Sequence, residues 1–160
     1  MASRTEFAER EAAPITRERL IELLNEDLAR EYQAIIAYVV YSQVIKGAQF
    51  MAIAKELQKH AKQELDHALI IAKQIDYLGG TPVVTPRSVR MSSSAADLLG
   101  FDLDAETETI RAYRDRVRQC EALGEFAMAE YIRDILKNEQ EHQIDLATAL
   151  GREPPDMSEE

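Results

Sequence analysis

Each of four long helical stretches in this 160-residue chain carries an apolar stripe at alternating steps of three and four, and ionisable residues break every stripe. The first stripe runs Leu20, Leu24, Leu28, Glu31, Ile35, Tyr38, Ser42, Ile45. The second runs Phe50, Ile53, Leu57, His60, Glu64, His67, Ile71, Gln74, Leu78. The third reads Glu106, Ile110, Tyr113, Val117, Cys120, and the fourth Met128, Ile132, Ile135, Glu139, His142, Leu146, Ala149. These are the inward positions of an all-α four-helix bundle, so Glu31, Glu64, His67, Glu106, Glu139 and His142 are expected in its core. An uncompensated carboxylate is costly to bury, and four together also repel one another. No Lys or Arg lies close by on the stripes. Two divalent cations would bring the charge needed to offset four carboxylates.

The remaining punctuation divides the chain into two helical hairpins. Helices are expected over about 16–46, with Thr16 as N-cap, and over about 49–78, before Gly79 and Gly80. A third is expected from near Asp104 to just before Gly124, and a fourth over 125–150, before Gly151. Gly47 and Gly124 make tight turns, whereas residues 79–103 form a long crossover holding Pro82, Pro86 and at most one helical turn at 95–99. The expected organisation is a loose segment over 1–15, the bundle over 16–151 and a loose tail over 152–160.

Spacing strengthens the metal reading. Glu64-x-x-His67 and Glu139-x-x-His142 are the same motif, with both side chains on one helical face. Glu31 precedes Glu64 by thirty-three residues, Glu106 precedes Glu139 by thirty-three, and each leading glutamate has a tyrosine seven residues on, Tyr38 and Tyr113. The midpoints fall at Gly47 and beside Gly124, so in each hairpin Glu faces Glu-x-x-His at one height, about 24 Å from the turn at 1.5 Å per residue. Two such hairpins facing each other build a two-metal site of near two-fold symmetry.

Other candidates rank lower. Glu108 lies about 200° round the helix from Glu106, and Glu141 fails likewise beside Glu139. Asp27 reads as a solvated surface acid rather than an outer-shell or entry-path carboxylate, and His60 as a hydrogen-bonded core histidine rather than a ligand, with a role in a metal path as its alternative. Tyr38 and Tyr113 are expected to donate hydrogen bonds to ligand carboxylates. Glu18, Glu22 and Glu26 read as a solvated face, and Cys120 as a small buried residue without a redox partner.

Composition narrows the class of function. A formal charge of −10 argues against nucleic acid and against an anionic membrane surface. No apolar run approaches the length of a membrane span, and the N-terminal residues lack the apolar core of a secretory signal. One cysteine rules out an internal disulfide framework and any all-cysteine metal site. A cytoplasmic protein is expected.

At these motifs the sequence resembles the ferritin-like di-iron carboxylate superfamily, most closely the bacterioferritins, over residues 16–151. The resemblance implies six ligands at Glu31, Glu64, His67, Glu106, Glu139 and His142, with Glu64 and Glu139 bridging, and places Tyr38 beside the site as a catalytic residue. Bacterioferritins bind haem through a methionine that follows the first Glu-x-x-His glutamate; Leu65 stands here, so haem is not expected. The chain shows no counterpart of the fifth helix of 24-subunit cages, which points to a homo-oligomer of another size, a dimer or a smaller Dps-like cage. Carboxylate and imidazole donors suit Fe(II), with Mn or Zn as substitutes. The expected function is a ferroxidase holding two Fe ions per subunit and using O2 or H2O2, in iron storage or detoxification. The alternative is a rubrerythrin-like di-iron or di-manganese oxidase or peroxidase that stores no iron.

Overall fold

The computed structural model describes residues 14–158, so the expected loose N-terminal segment falls largely outside the described residues. Four long helices follow in order: α1 (Arg17–Val44), α2 (Met51–Tyr77), α3 (Ala95–Ala122) and α4 (Phe126–Ala149). A short 3-10 turn, Ala48–Phe50, leads into α2. Among the described residues there are no strands, and no helix is long and apolar enough to cross a membrane. The all-α bundle of two antiparallel hairpins is as the stripes require.

Local signals set the helix ends. Thr16 is in extended conformation, and its hydroxyl accepts from Arg19 N at 3.1 Å, satisfying one free donor of the first turn of α1. Gly124 adopts φ +75°, which only glycine takes without strain, and lets Glu125 N reach Cys120 O at 2.8 Å to close α3. The third helix begins at Ala95, not near Asp104. The single turn expected at 95–99 is its first turn: Ser94 caps it by accepting from Asp97 N at 3.3 Å, and Leu98, Leu99 and Leu103 are buried. Gly100 weakens this stretch by about 1 kcal/mol relative to Ala, which burial of three leucines outweighs.

The crossover runs lengthwise along α1. Asn25 Nδ2 donates to Thr81 O at 3.1 Å and Asn25 Oδ1 accepts from Val83 N at 2.8 Å. Further along, Arg87 N donates to Ala29 O, Gln33 Nε2 to Ser88 O, and the Tyr41 hydroxyl to Arg90 O. Gly80 marks a close approach at its start, since a Cβ there would stand 2.5 Å from the Ile21 side chain. The chain is thereby carried from one end of the bundle to the other, so α3 enters antiparallel to α1.

Packing divides into three storeys. One apolar cluster holds Leu20, Leu24, Leu28, Ile71, Ile75, Cys120 and Ile132. The other, at the opposite end, holds Tyr41, Ile53, Leu57, Leu98, Leu99 and Leu146. Between them lie the buried glutamates and histidines. Adding seventy-five to a residue number maps one hairpin onto the other: Glu31 to Glu106, Tyr38 to Tyr113, Glu64 to Glu139, His67 to His142.

Candidate metal centre

All six residues singled out by spacing are buried and converge on the middle storey. They form two overlapping donor groups, Glu31–Glu64–His67–Glu139 and Glu64–Glu106–Glu139–His142, with the donor atoms of each within 4.8 Å of one another. Glu64 and Glu139 belong to both groups. That sharing is what two bridging carboxylates between two cations require.

The histidines sit where cations would. His67 Nδ1 lies 2.7 Å from Glu139 Oε1, 2.9 Å from Glu64 Oε2 and 3.6 Å from Glu31 Oε2. One ring nitrogen carries at most one hydrogen, so it cannot serve three carboxylate oxygens as a donor. His142 Nδ1 likewise faces Glu64, Glu139 and Glu106 at 2.9, 3.4 and 3.5 Å. Its Nε2 lies 2.8 Å from Gln63 Oε1, an oxygen that can only accept. Once metal displaces the Nδ1 proton, the hydrogen on Nε2 leaves His142 with an Nδ1 lone pair directed among the carboxylates, as a metal ligand has. Gln63 was not anticipated; it stands one residue before Glu64, a place that stripe periodicity does not mark.

Four carboxylate oxygens in this storey, Glu31 Oε2, Glu106 Oε2 and both of Glu139, are fully buried without a well-aligned hydrogen-bond donor, although His67 and His142 lie close. Bare buried carboxylates are expensive, and hard divalent cations are their natural complement. The donor set therefore fits two first-row divalent ions.

Without metal, protons are shared unevenly across the cluster. Burial and the charges of Glu139, Glu31 and Glu106 push the Glu64 carboxyl well up. Burial and Glu139 push Glu106 up to about 7. Burial and the Glu31 charge press the same way on Glu139, but the close approach of Glu106, His142 and His67 holds it at about 2. Burial opposes charge on His142, yet hydrogen bonds to Glu106 and Glu139 lift it to about 10.

The tyrosines brace the centre across the hairpins. The Tyr38 hydroxyl donates to Glu106 Oε1 and the Tyr113 hydroxyl to Glu31 Oε1, each from the opposite hairpin. Burial and the neighbouring carboxylates hold both phenols protonated, so they remain donors. His60 is a buried histidine bonded to Asp145 Oδ2 at 3.0 Å. Glu108 is exposed and pairs with Arg87, Glu141 is exposed, and Cys120 is buried.

Asp27 overturns its reading as a surface acid: its exposure is 0%. Arg116 Nε and Nη2 clamp it at 2.7 and 3.1 Å, and Arg30 adds a further ion pair. Both arginines are buried against Asp27, so the core does contain cations of its own. They neutralise Asp27, not the six converging residues.

The model of the ferritin-like domain matches residues 21–154. The chain belongs to the ferritin-like family. This ferritin-like protein is 24% identical over 142 residues to a bacterioferritin of Brucella melitensis, covering 84% of this chain and 88% of the relative. It superposes with TM-score 0.81 and 32% identity on a ferritin-like diiron-carboxylate protein from Bacillus anthracis, covering 84% of this chain and 96% of that one. A second solved structure, the bacterioferritin-related dodecameric thioferritin of Bacteroides fragilis, matches with TM-score 0.79 and 26% identity over 86% of this chain and 88% of its own.

Proposed function

We propose that this ferritin-like protein binds two Fe(II) ions per chain at the middle storey and oxidises them with O2 or H2O2, in iron storage or detoxification. The observation that carries the reading is the pair of overlapping donor groups with Glu64 and Glu139 common to both. Kinship with bacterioferritins and with a diiron-carboxylate structure supports it. In this reading Glu31 and His67 hold one iron, Glu106 and His142 the other, and Glu64 and Glu139 bridge. Two Fe(II) supply two electrons, enough to reduce O2 to H2O2 or H2O2 to water. Mn or Zn would occupy the same donors.

The protein's own part is to position and to insulate. Tyr38 and Tyr113 hold Glu106 and Glu31 in place, and we assign Tyr38 the role of a residue beside the reacting metals. Apolar clusters above and below exclude water from the storey. Leu65 is half-exposed on α2 and offers no ligating atom, so haem forms no part of the proposal. Homo-oligomerisation is proposed as well, supported by the dodecameric relative and by exposed Val39, Leu65 and Leu69 on α1 and α2.

The test is stopped-flow absorbance after two Fe(II) per chain are added in air. Oxidation faster than in buffer, lost in Glu31→Ala and Glu139→Ala, is the expected outcome; an unchanged rate in both variants would overturn it. Native mass and iron loading separate storage from a rubrerythrin-like redox role, since a cage taking up far more than two irons per chain is storing them.

A further inference from the structure

Outside the six residues, a second kind of donor set lies on the seam between α2 and α4. One nitrogen of His60, one oxygen of Glu56 and one oxygen of Asp145 all fall within 4.8 Å of one another. Glu56 stands one turn before His60 on α2, and Asp145 one turn after His142 on α4. No part of the proposed two-iron chemistry uses these three residues.

Their surroundings favour a cation over a plain hydrogen bond. Two carboxylates, from Glu56 and Asp145, face one buried imidazole. Lys59, at 3.9 Å from Glu56, is an exposed side chain on the solvent side. The second ring nitrogen, His60 Nδ1, is buried and has no partner. Moving the hydrogen onto Nδ1 would break no other hydrogen bond and would free Nε2, 3.0 Å from Asp145 Oδ2, as a lone-pair donor. His142 differs, because Gln63 fixes its Nε2.

Position gives the set a meaning. The His60 ring stacks on the His142 ring with centroids 4.0 Å apart. Asp145 is 41% exposed at its side chain and Glu56 is half-buried. The three residues thus span from solvent to a ring that touches the centre.

We propose that Glu56, His60 and Asp145 form a third, mononuclear site for a first-row divalent cation, stacked outside the two-metal centre. One nitrogen and two carboxylate donors suit Fe(II), Zn(II), Co(II) or Mn(II), with water completing the coordination. Being open to solvent, the site exchanges its ion faster than the enclosed centre does. It is a staging position for metal on the α2–α4 face.

The probe is Zn(II), by equilibrium dialysis of the metal-free full chain and by anomalous scattering from Zn-soaked crystals. Wild type is expected to bind about three ions per chain, with one peak bounded by Glu56, His60 and Asp145, and Glu56→Gln/Asp145→Asn about two. Both substitutions lie at half-buried positions and remove charge without removing bulk, so the bundle is expected to keep its fold. Two ions per chain in wild type, or a third ion retained in the double variant, overturns the proposal. The Glu31→Ala/Glu139→Ala variant separates the two readings. There the His60 peak is expected to persist without the central pair, and its disappearance would overturn an independent outer site. A wild-type peak at His60 with an empty centre would instead refute the two-iron reading alone.

Discussion

One turn before each leading glutamate stands an aspartate, Asp27 in α1 and Asp102 in α3, seventy-five residues apart and both buried. Asp27 is clamped by Arg116 and Arg30. Burial raises both carboxyls, but only Asp27 has arginines working against it; Asp102 has an oxygen with no partner, and burial and the Glu106 charge push it well up. The offset explains the difference. The place equivalent to Arg116 is Tyr41, whose hydroxyl is engaged by Arg90 O, and the place equivalent to Arg30 is Ala105. The six candidate ligands repeat faithfully between hairpins, whereas the charges that steady their surroundings do not. Donor geometry and charge compensation are thus separate problems, solved by different residues.

The largest expected effect breaks the compensated side. Arg116→Met leaves Asp27 buried with Arg30 alone and should cost about 3–5 kcal/mol in urea denaturation of the metal-free protein. Asp102→Asn, which removes no ion pair, should stay within about 1 kcal/mol of wild type. Equal losses from the two would erase the contrast. Where the halves do match, equal effects are expected: Tyr38→Phe and Tyr113→Phe each remove one hydrogen bond to a carboxylate, for about 1.5–3 kcal/mol apiece by the same measurement.

A smaller effect sharpens the comparison through pH. Hydrogen bonds from Glu64 and His67 outweigh burial and hold the Glu31 carboxyl low, while Glu106 sits at about 7. A carboxyl raised on folding contributes stability that is complete below its ordinary pKa and is lost as pH rises through the folded value. For Glu106 that window runs from about 4.5 to 7. Metal must displace this proton in addition to the histidine proton that each half releases, so below pH 7 binding at the Glu106–His142 half should weaken about tenfold more per pH unit than binding at the Glu31–His67 half. Calorimetry with Zn(II) at pH 8 and pH 6 should show one ion losing more affinity than the other. Parallel losses for both ions would mean that the halves share their protons evenly.

Much of this is legible in the amino-acid sequence. The thirty-three-residue spacing about Gly47 and Gly124 needs only the rise of a helix, so hairpins and the converging six could be read from residue numbers. What escaped depended on contacts between hairpins. Asp27 looks solvated on α1 alone, and its partner Arg116 is eighty-nine residues away, in no period that a stripe reveals. The start of α3 escaped for a local reason: Ser92, Ser93, Ser94 and Gly100 read as loop, and only the burial of Leu98 and Leu99 makes them cap and helix. Gln63 escaped because its role depends on a histidine of another helix.

The constant offset between the hairpins also bears on how such a chain can change over generations. A half-length chain pairing with its own copy would present Glu, Tyr and Glu-x-x-His twice, but every substitution in it would appear on both sides at once. An arginine introduced opposite one aspartate would be duplicated opposite the other. The crossover pinned along α1 joins the halves into one heritable unit while leaving each free to vary alone. Inequality between Asp27 and Asp102 is a difference that a half-length chain paired with its own copy could not hold.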